Sequence, residues 1–130
     1  MEYVDAELET VWNQIWELEN RVQQGEVLKL TPEVCGLLHH AAPTVAISRA
    51  EAETALASAA GATVLLREIQ ARVRDGSHRL SAALHRMYRL RDSGDLDGAR
   101  QQMRDLLAVE VVPLYRDIAE GQLERLDEPS

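Results

Sequence analysis

Residues 62–93, ATVLLREIQARVRDGSHRLSAALHRMYRLRDS, decide the fold. Leu66, Ile69, Val73, Gly76, Leu80, Ala83, Met87 and Leu90 recur in alternating steps of three and four. That spacing keeps one stripe of a helix apolar across four heptads and predicts a long helix. Two seam positions, Gly76 and Ala83, are small enough to admit a close partner helix. Gly76 also costs about 1 kcal/mol of helix propensity relative to Ala. Asp75-Gly76-Ser77 therefore offers a place to split the stretch, and the sequence leaves one helix or two open.

Working outward toward the C-terminus, Ser93-Gly94-Asp95 reads as a tight turn between helices. Gly94 suits a left-handed C-terminal cap and Asp95 the next N-cap. A last helix is predicted from about Leu96 to Leu126, with Met103, Leu107, Val111, Leu114 and Ile118 along one face. Pro113 lies inside it, removes a backbone donor and predicts a kink. Toward the N-terminus, Ser48-Arg49-Ala50-Glu51 has the form of a capping box and opens a helix. Its Ala-rich run, Glu51 to Ala60, is expected to break or bend at Gly61. Thr31-Pro32-Glu33 starts a short helix over about 32–41, which Pro43 ends. A first helix over about Asp5–Gln23 carries the seam Val4, Leu8, Val11, Ile15, Leu18 and Val22, and Gly25 caps it. Residues 26–30 connect the two. The fold class is all-α: an antiparallel helical bundle with two or three long helices and short N-terminal connecting helices. Residues 1–126 are expected to form a single domain, with 127–130 a polar tail.

Composition agrees with that class. The chain has 130 residues, 45% of them hydrophobic and 28% charged; aromatics make up 4% and Phe is absent. Leu, Val, Ile, Ala and Met must then build the core, a palette rich in helix formers. The single cysteine, Cys35, excludes an internal disulfide and fits a reducing compartment. The start Met1-Glu2-Tyr3-Val4-Asp5 lacks the basic and apolar regions of a secretory signal, and no apolar run nears the roughly 20 residues of a membrane span. A cytoplasmic protein with no membrane association is expected. The net charge of −8 argues against direct nucleic-acid binding, which rests on phosphate neutralisation. The charge is uneven: 10 acidic and 3 basic side chains in residues 1–61, 5 and 9 in 62–104, and 7 and 2 in 105–130.

Catalytic and metal-binding patterns are weak. His39 and His40 are adjacent and point apart on a helix, while His78 and His85 lie two turns apart, too far to share a metal. Cys35 and His39 have the spacing of a Cys–His pair, but nothing supplies an oxyanion hole or a third group to orient the histidine. No phosphate loop occurs, because the seven glycines are dispersed. No catalytic residue, metal or cofactor is expected. The segment Met87 to Leu107 has the helix–turn–helix form of half a tetratricopeptide unit, but no second copy follows at a period of about 34 residues.

Two features remain as a candidate interaction surface. Arg72, Arg79 and Arg86 repeat every seven residues beside the apolar seam, with Arg89 a turn beyond. Such positions pair with acidic side chains of a neighbouring helix, within the chain or on an acidic or phosphate-bearing partner. Trp12 and Trp16, one turn apart, are the only tryptophans. They are either the widest part of the core or an exposed anchor of the kind enriched at binding hot spots.

The stretch Gly61 to Leu126 resembles the DUSAM domain, a family of paralogous small domains from myxobacteria. The likeness rests on Gly61-Ala62-Thr63, Leu65-Leu66-Arg67-Glu68-Ile69, Arg86-Met87-Tyr88-Arg89-Leu90-Arg91-Asp92, Gly94-Asp95-Leu96, Ala99-Arg100-Gln101-Gln102-Met103 and Val111-Val112-Pro113-Leu114-Tyr115. Val45-Ala46-Ile47-Ser48 extends it. The family is named for its duplication in sigma-factor activators of the enhancer-binding type, and it also occurs as stand-alone chains. The resemblance implies a regulatory or sensory interaction module and carries over no catalytic residues. The function expected is therefore a non-catalytic regulatory module that binds a protein partner, with homodimerisation through a helix seam as one route. Two alternatives stand beside it. One is an immunity or antitoxin-like protein that neutralises a basic partner. The other is a sensor in which Arg72, Arg79 and Arg86 grip a small anion.

Overall fold

The computed structural model describes residues 6–128, and every regular element among them is helical. Val4 of the first seam, Asp5, and Pro129 and Ser130 of the tail lie outside the described residues. In order the elements are α1 (Ala6–Gln23), α2 (Pro32–Ala41), a 3-10 turn (Ala42–Val45), α3 (Arg49–Ala55), α4 (Ala59–Asp92), α5 (Leu96–Val109) and α6 (Pro113–Asp127). The chain divides into two compact units, residues 1–73 and 74–130, with the boundary inside α4.

In the first unit α1 buries Val11, Ile15 and Leu18. Gly25, at φ +103°, ends it with two paired bonds: Gly25 N–H to the Val22 carbonyl and Glu26 N–H to that of Arg21. α2 starts where the sequence places it. Pro32 occupies the first turn, and the Thr31 hydroxyl accepts from Val34 N–H at 3.2 Å. Its end also falls where the sequence places it, at Ala41; Pro43 sits in the 3-10 turn that follows, which closes on Ala46 at φ +65°. Ser48 caps α3, accepting from Glu51 N–H and donating to the Glu51 carboxylate, both at 3.1 Å. The core of this unit is aliphatic, with Ile15, Leu38, Val45, Leu66 and Ile69 fully buried.

The break expected at Gly61 lies earlier, at residues 56–58. Ser58 accepts from Gly61 N–H at 3.0 Å, so Gly61 belongs to the first turn of α4. A Cβ at Gly61 would collide with the Ala55 carbonyl oxygen. The glycine permits a close approach of the preceding chain and is not itself the breaker.

In the second unit α4 passes through Gly76 unbroken, and Gly76, Leu80, Ala83 and Met87 of the predicted seam are buried. Gly94, at φ +89°, ends the helix; Gly94 N–H bonds to the Arg91 carbonyl and Asp95 N–H to that of Leu90. That double closure is a Schellman motif. Asp95 then accepts from Gly98 N–H at 2.9 Å and caps α5. The helix expected over Leu96–Leu126 is two helices, not one kinked helix. Glu110 and Val112 are extended, and Pro113 is the first residue of α6. The apolar register changes across the break. α5 buries Ala99, Met103 and Leu106, and α6 buries Tyr115, Ala119, Gln122 and Leu126, while Val111 of the predicted face is 42% exposed.

Candidate interaction surface

The arginine stripe is used in four different ways. Arg72 donates from Nε to Glu68 Oε1 at 2.8 Å, and from Nη1 to the Val45 and Ala46 carbonyls at 2.9 and 3.3 Å. It thereby holds the turn at Ala46, whose left-handed backbone an alanine adopts only at a cost. Arg79 donates from Nε to Glu110 Oε1 at 3.2 Å. Arg86 donates from Nε to the neutral Gln102 Oε1 at 2.6 Å. The Arg89 side chain is exposed and has no hydrogen bond or ion pair to another described residue. With Arg86, Leu90 and Ser93 it lines a shallow dimple at the end of α4.

The two tryptophans separate. Trp12 is half-buried, and its Nε1–H donates to Thr44 Oγ1 at 3.0 Å, whose hydroxyl in turn donates to the Ala41 carbonyl. Trp16, one turn on, is 55% exposed. α1 also exposes Glu7, Glu9 and Glu17, and Glu7 Oε1 lies 3.7 Å from His40 Nε2. Cys35 and His39 line a shallow cleft with Thr44 and Arg49, and His39 Nε2 lies 3.7 Å from Glu53 Oε1. Among the described residues no group of three histidine, cysteine or carboxylate side chains is placed to hold a metal ion. No helix among them is long and apolar enough to cross a membrane.

Glu110, a residue the sequence pattern does not single out, organises the second unit. It is 2% exposed, and its Oε2 accepts from Val111 and Val112 N–H, each at 3.0 Å. Arg116 does the reverse, donating to the Leu107 and Glu110 carbonyls at 2.7 and 2.8 Å. Between them the two side chains satisfy backbone groups that a continuous helix would have paired. Tyr115 packs beside them against Gly76, where a Cβ would lie 2.7 Å from its ring and 2.9 Å from Glu110 Oε2. Burial chiefly raises the Tyr115 phenol above its ordinary value; the Glu110 charge adds to this, and a hydrogen bond with Ser77 opposes it.

At the α4–α5 tip every acid is engaged. Asp92 is 3.2 Å from Arg91, Asp95 caps α5, and Asp97 and Asp127 lie 2.9 and 2.7 Å from Arg100. Arg91 also sits over the ring of Tyr88, 4.9 Å from its centroid. Arg86 and Arg89 have no carboxylate partner among the described residues, and Tyr88 and Leu96 are 38% and 42% exposed.

A sequence profile for a family described as a protein of unknown function, DUF2379, matches residues 10–126. The chain belongs to the DUF2379 family. The matched span takes in all six helices of this DUF2379 member in whole or large part, together with Trp12, Trp16 and the four arginines of the stripe. No curated protein and no solved structure gives a significant match to it.

Proposed function

We propose that this DUF2379 chain is a DUSAM-type regulatory module, without catalytic activity of its own, that binds a protein partner in the cytoplasm. The observation that carries the reading is Trp16. It is the larger part exposed on α1, while its neighbour Trp12 is tied down by Thr44. Leaving a tryptophan in water forgoes a large burial gain, and that gain becomes available to a complex. The family match spans every segment on which the DUSAM likeness rests, which supports the finer assignment. The absence of a disulfide-capable cysteine pair supports the reducing compartment.

The test is affinity purification from the native cell with the wild-type chain and with Trp16→Ala in parallel, followed by calorimetry on the purified partner. The expected result is one protein retained by the wild type and bound about tenfold or more weakly by the variant. Equal retention by both chains would count against the reading. A second reading is neutralisation of a basic protein. It is favoured by the exposed Glu7, Glu9 and Glu17 on the same helix as Trp16. A partner of high basicity, whose association rate falls steeply with salt, distinguishes it.

A further inference from the structure

We propose that the outer part of α6, from Asp117 to Asp127, is a strap that releases from the second unit as one piece while the inner end of the helix stays fastened. The two ends are held differently. The inner end is tied several times over. Glu110 pairs with Arg79 of α4 and accepts from Val111 and Val112 N–H. Arg116 donates to the Leu107 and Glu110 carbonyls, and Tyr115 fills the space at Gly76 and bonds with Ser77. The outer end rests on Arg100, which donates to Asp127 Oδ1 at 2.7 Å and to the Leu126 carbonyl at 2.9 Å. The Asp127 carboxylate is largely in water, where an ion pair contributes little.

Between the two ends the packing face of α6 is poor in apolar surface. Beyond Tyr115 its buried residues are Ala119, Gln122 and Leu126, while Ile118 and Leu123 are only half-buried. Leu126 is thus the one large aliphatic side chain buried in this stretch. In the same unit α4 buries Leu80 and Met87, and α5 buries Met103 and Leu106. Gln122 is 5% exposed, and its side-chain amide has no hydrogen-bond partner among the described residues. A buried amide that has given up water without finding another partner favours any form in which it is wet again. Lifting the outer part of α6 rehydrates Gln122 and exposes few large apolar groups. It also uncovers the surface of α5 on which α6 packs. This release does not rest on the proposed function, which concerns Trp16 in the first unit, and either can fail without the other.

The experiment is native-state hydrogen exchange on the full chain, followed amide by amide by NMR. The amides of residues 117–127 are expected to share one opening, with protection about 100-fold below that of the Met87 and Met103 amides. Gln122→Met keeps the unbranched shape and removes the amide. It is expected to raise protection across residues 117–127 about tenfold and to leave the rest of the chain unchanged. Arg100→Ala is expected to lower protection of the same residues severalfold, again without effect on Met87. Protection that falls smoothly toward residue 127 is ordinary fraying of a helix end and overturns the proposal. Protection equal to that of Met87 and Met103 also overturns it, as does a Gln122→Met variant whose exchange in 117–127 is unchanged or faster. Circular dichroism reports folding of each variant. Should Gln122→Met fail to fold, Gln122→Leu takes its place with the same expected and overturning results.

Discussion

α4 passes through Gly76 unbroken, whereas the chain ahead of Pro113 separates into two helices. Both places hold a residue that disfavours helix, and the weaker breaker is the one tolerated. The difference lies in what the surrounding side chains offer the backbone. At Gly76 the helix continues, and the missing side chain makes room for the Tyr115 ring and the Glu110 carboxylate. At residues 110–112 the Glu110 carboxylate and the Arg116 guanidinium replace the lost backbone bonds, so the extended segment carries little penalty. A helix ends where its backbone groups find other partners, and the proline only adds to that.

Four substitutions and one control bear on the comparison. Glu110→Ala should have the largest effect, about 3 kcal/mol of destabilisation, because a buried and a part-buried N–H group lose their acceptor and Arg79 its partner. Urea denaturation measures it, and a loss under 1 kcal/mol would mean that the carboxylate does not hold the break. Gly76→Ala should cost about 2 kcal/mol through overpacking against Tyr115, although alanine is the better helix former. Gly36→Ala is its control. Gly36 lies in α2 with open space around it and should gain up to about 1 kcal/mol. Equal signs for the two would remove the packing argument.

Tyr115→Phe should cost about 1 kcal/mol at neutral pH through the lost hydrogen bond with Ser77. Its sharper signature is in alkali. The phenol of the folded chain titrates above its ordinary value, so the unfolded chain loses this proton first. Stability from this group is fully present below pH 10 and falls as pH rises beyond it. Melting curves from pH 8 to 11 should show a steeper decline for the wild type than for Tyr115→Phe. Pro113→Ala should have the smallest effect, about 0.5 kcal/mol, arising mainly from the greater freedom of the unfolded chain. Unchanged helix content by circular dichroism is expected, and a rise equivalent to residues 110–112 would return the break to the proline.

Most helix boundaries were legible because local chemistry sets them. Thr31-Pro32, Ser48 with Glu51, and Gly94-Asp95 each supply a cap within three or four residues of the backbone groups they satisfy. The all-α class and the seam through Met87 follow from periodicity alone. The break at 110–112 was less legible because a glutamate reads as surface, and the burial of Glu110 depends on Arg79, 31 residues away. One signal was present: the residue before a proline favours extended backbone, which applies to Val112 as it does to Ala42. At Ala42 the 3-10 turn overrides it. The stripe Arg72, Arg79, Arg86 and Arg89 was visible as a pattern, yet its members divide between turn, carboxylate, amide and solvent. That division depends on what each faces, which periodicity does not encode. Trp12 and Trp16 divide for the same reason, since only one of them meets Thr44.

The turn at residues 93–95 bears on the order in which the chain folds. Its hydrogen bonds close over three to five residues: Gly94 to Arg91, Asp95 to Leu90, and Gly98 to Asp95. The Arg79–Glu110 and Arg100–Asp127 pairs close over 31 and 27 residues. Short closures form within about microseconds, and long ones carry a larger entropic cost. The α4–α5 hairpin is therefore the early element, and the docking of α6 is the late one. Asp95→Ala should slow refolding, while Glu110→Ala should mainly speed unfolding, a contrast that the two arms of a chevron plot separate.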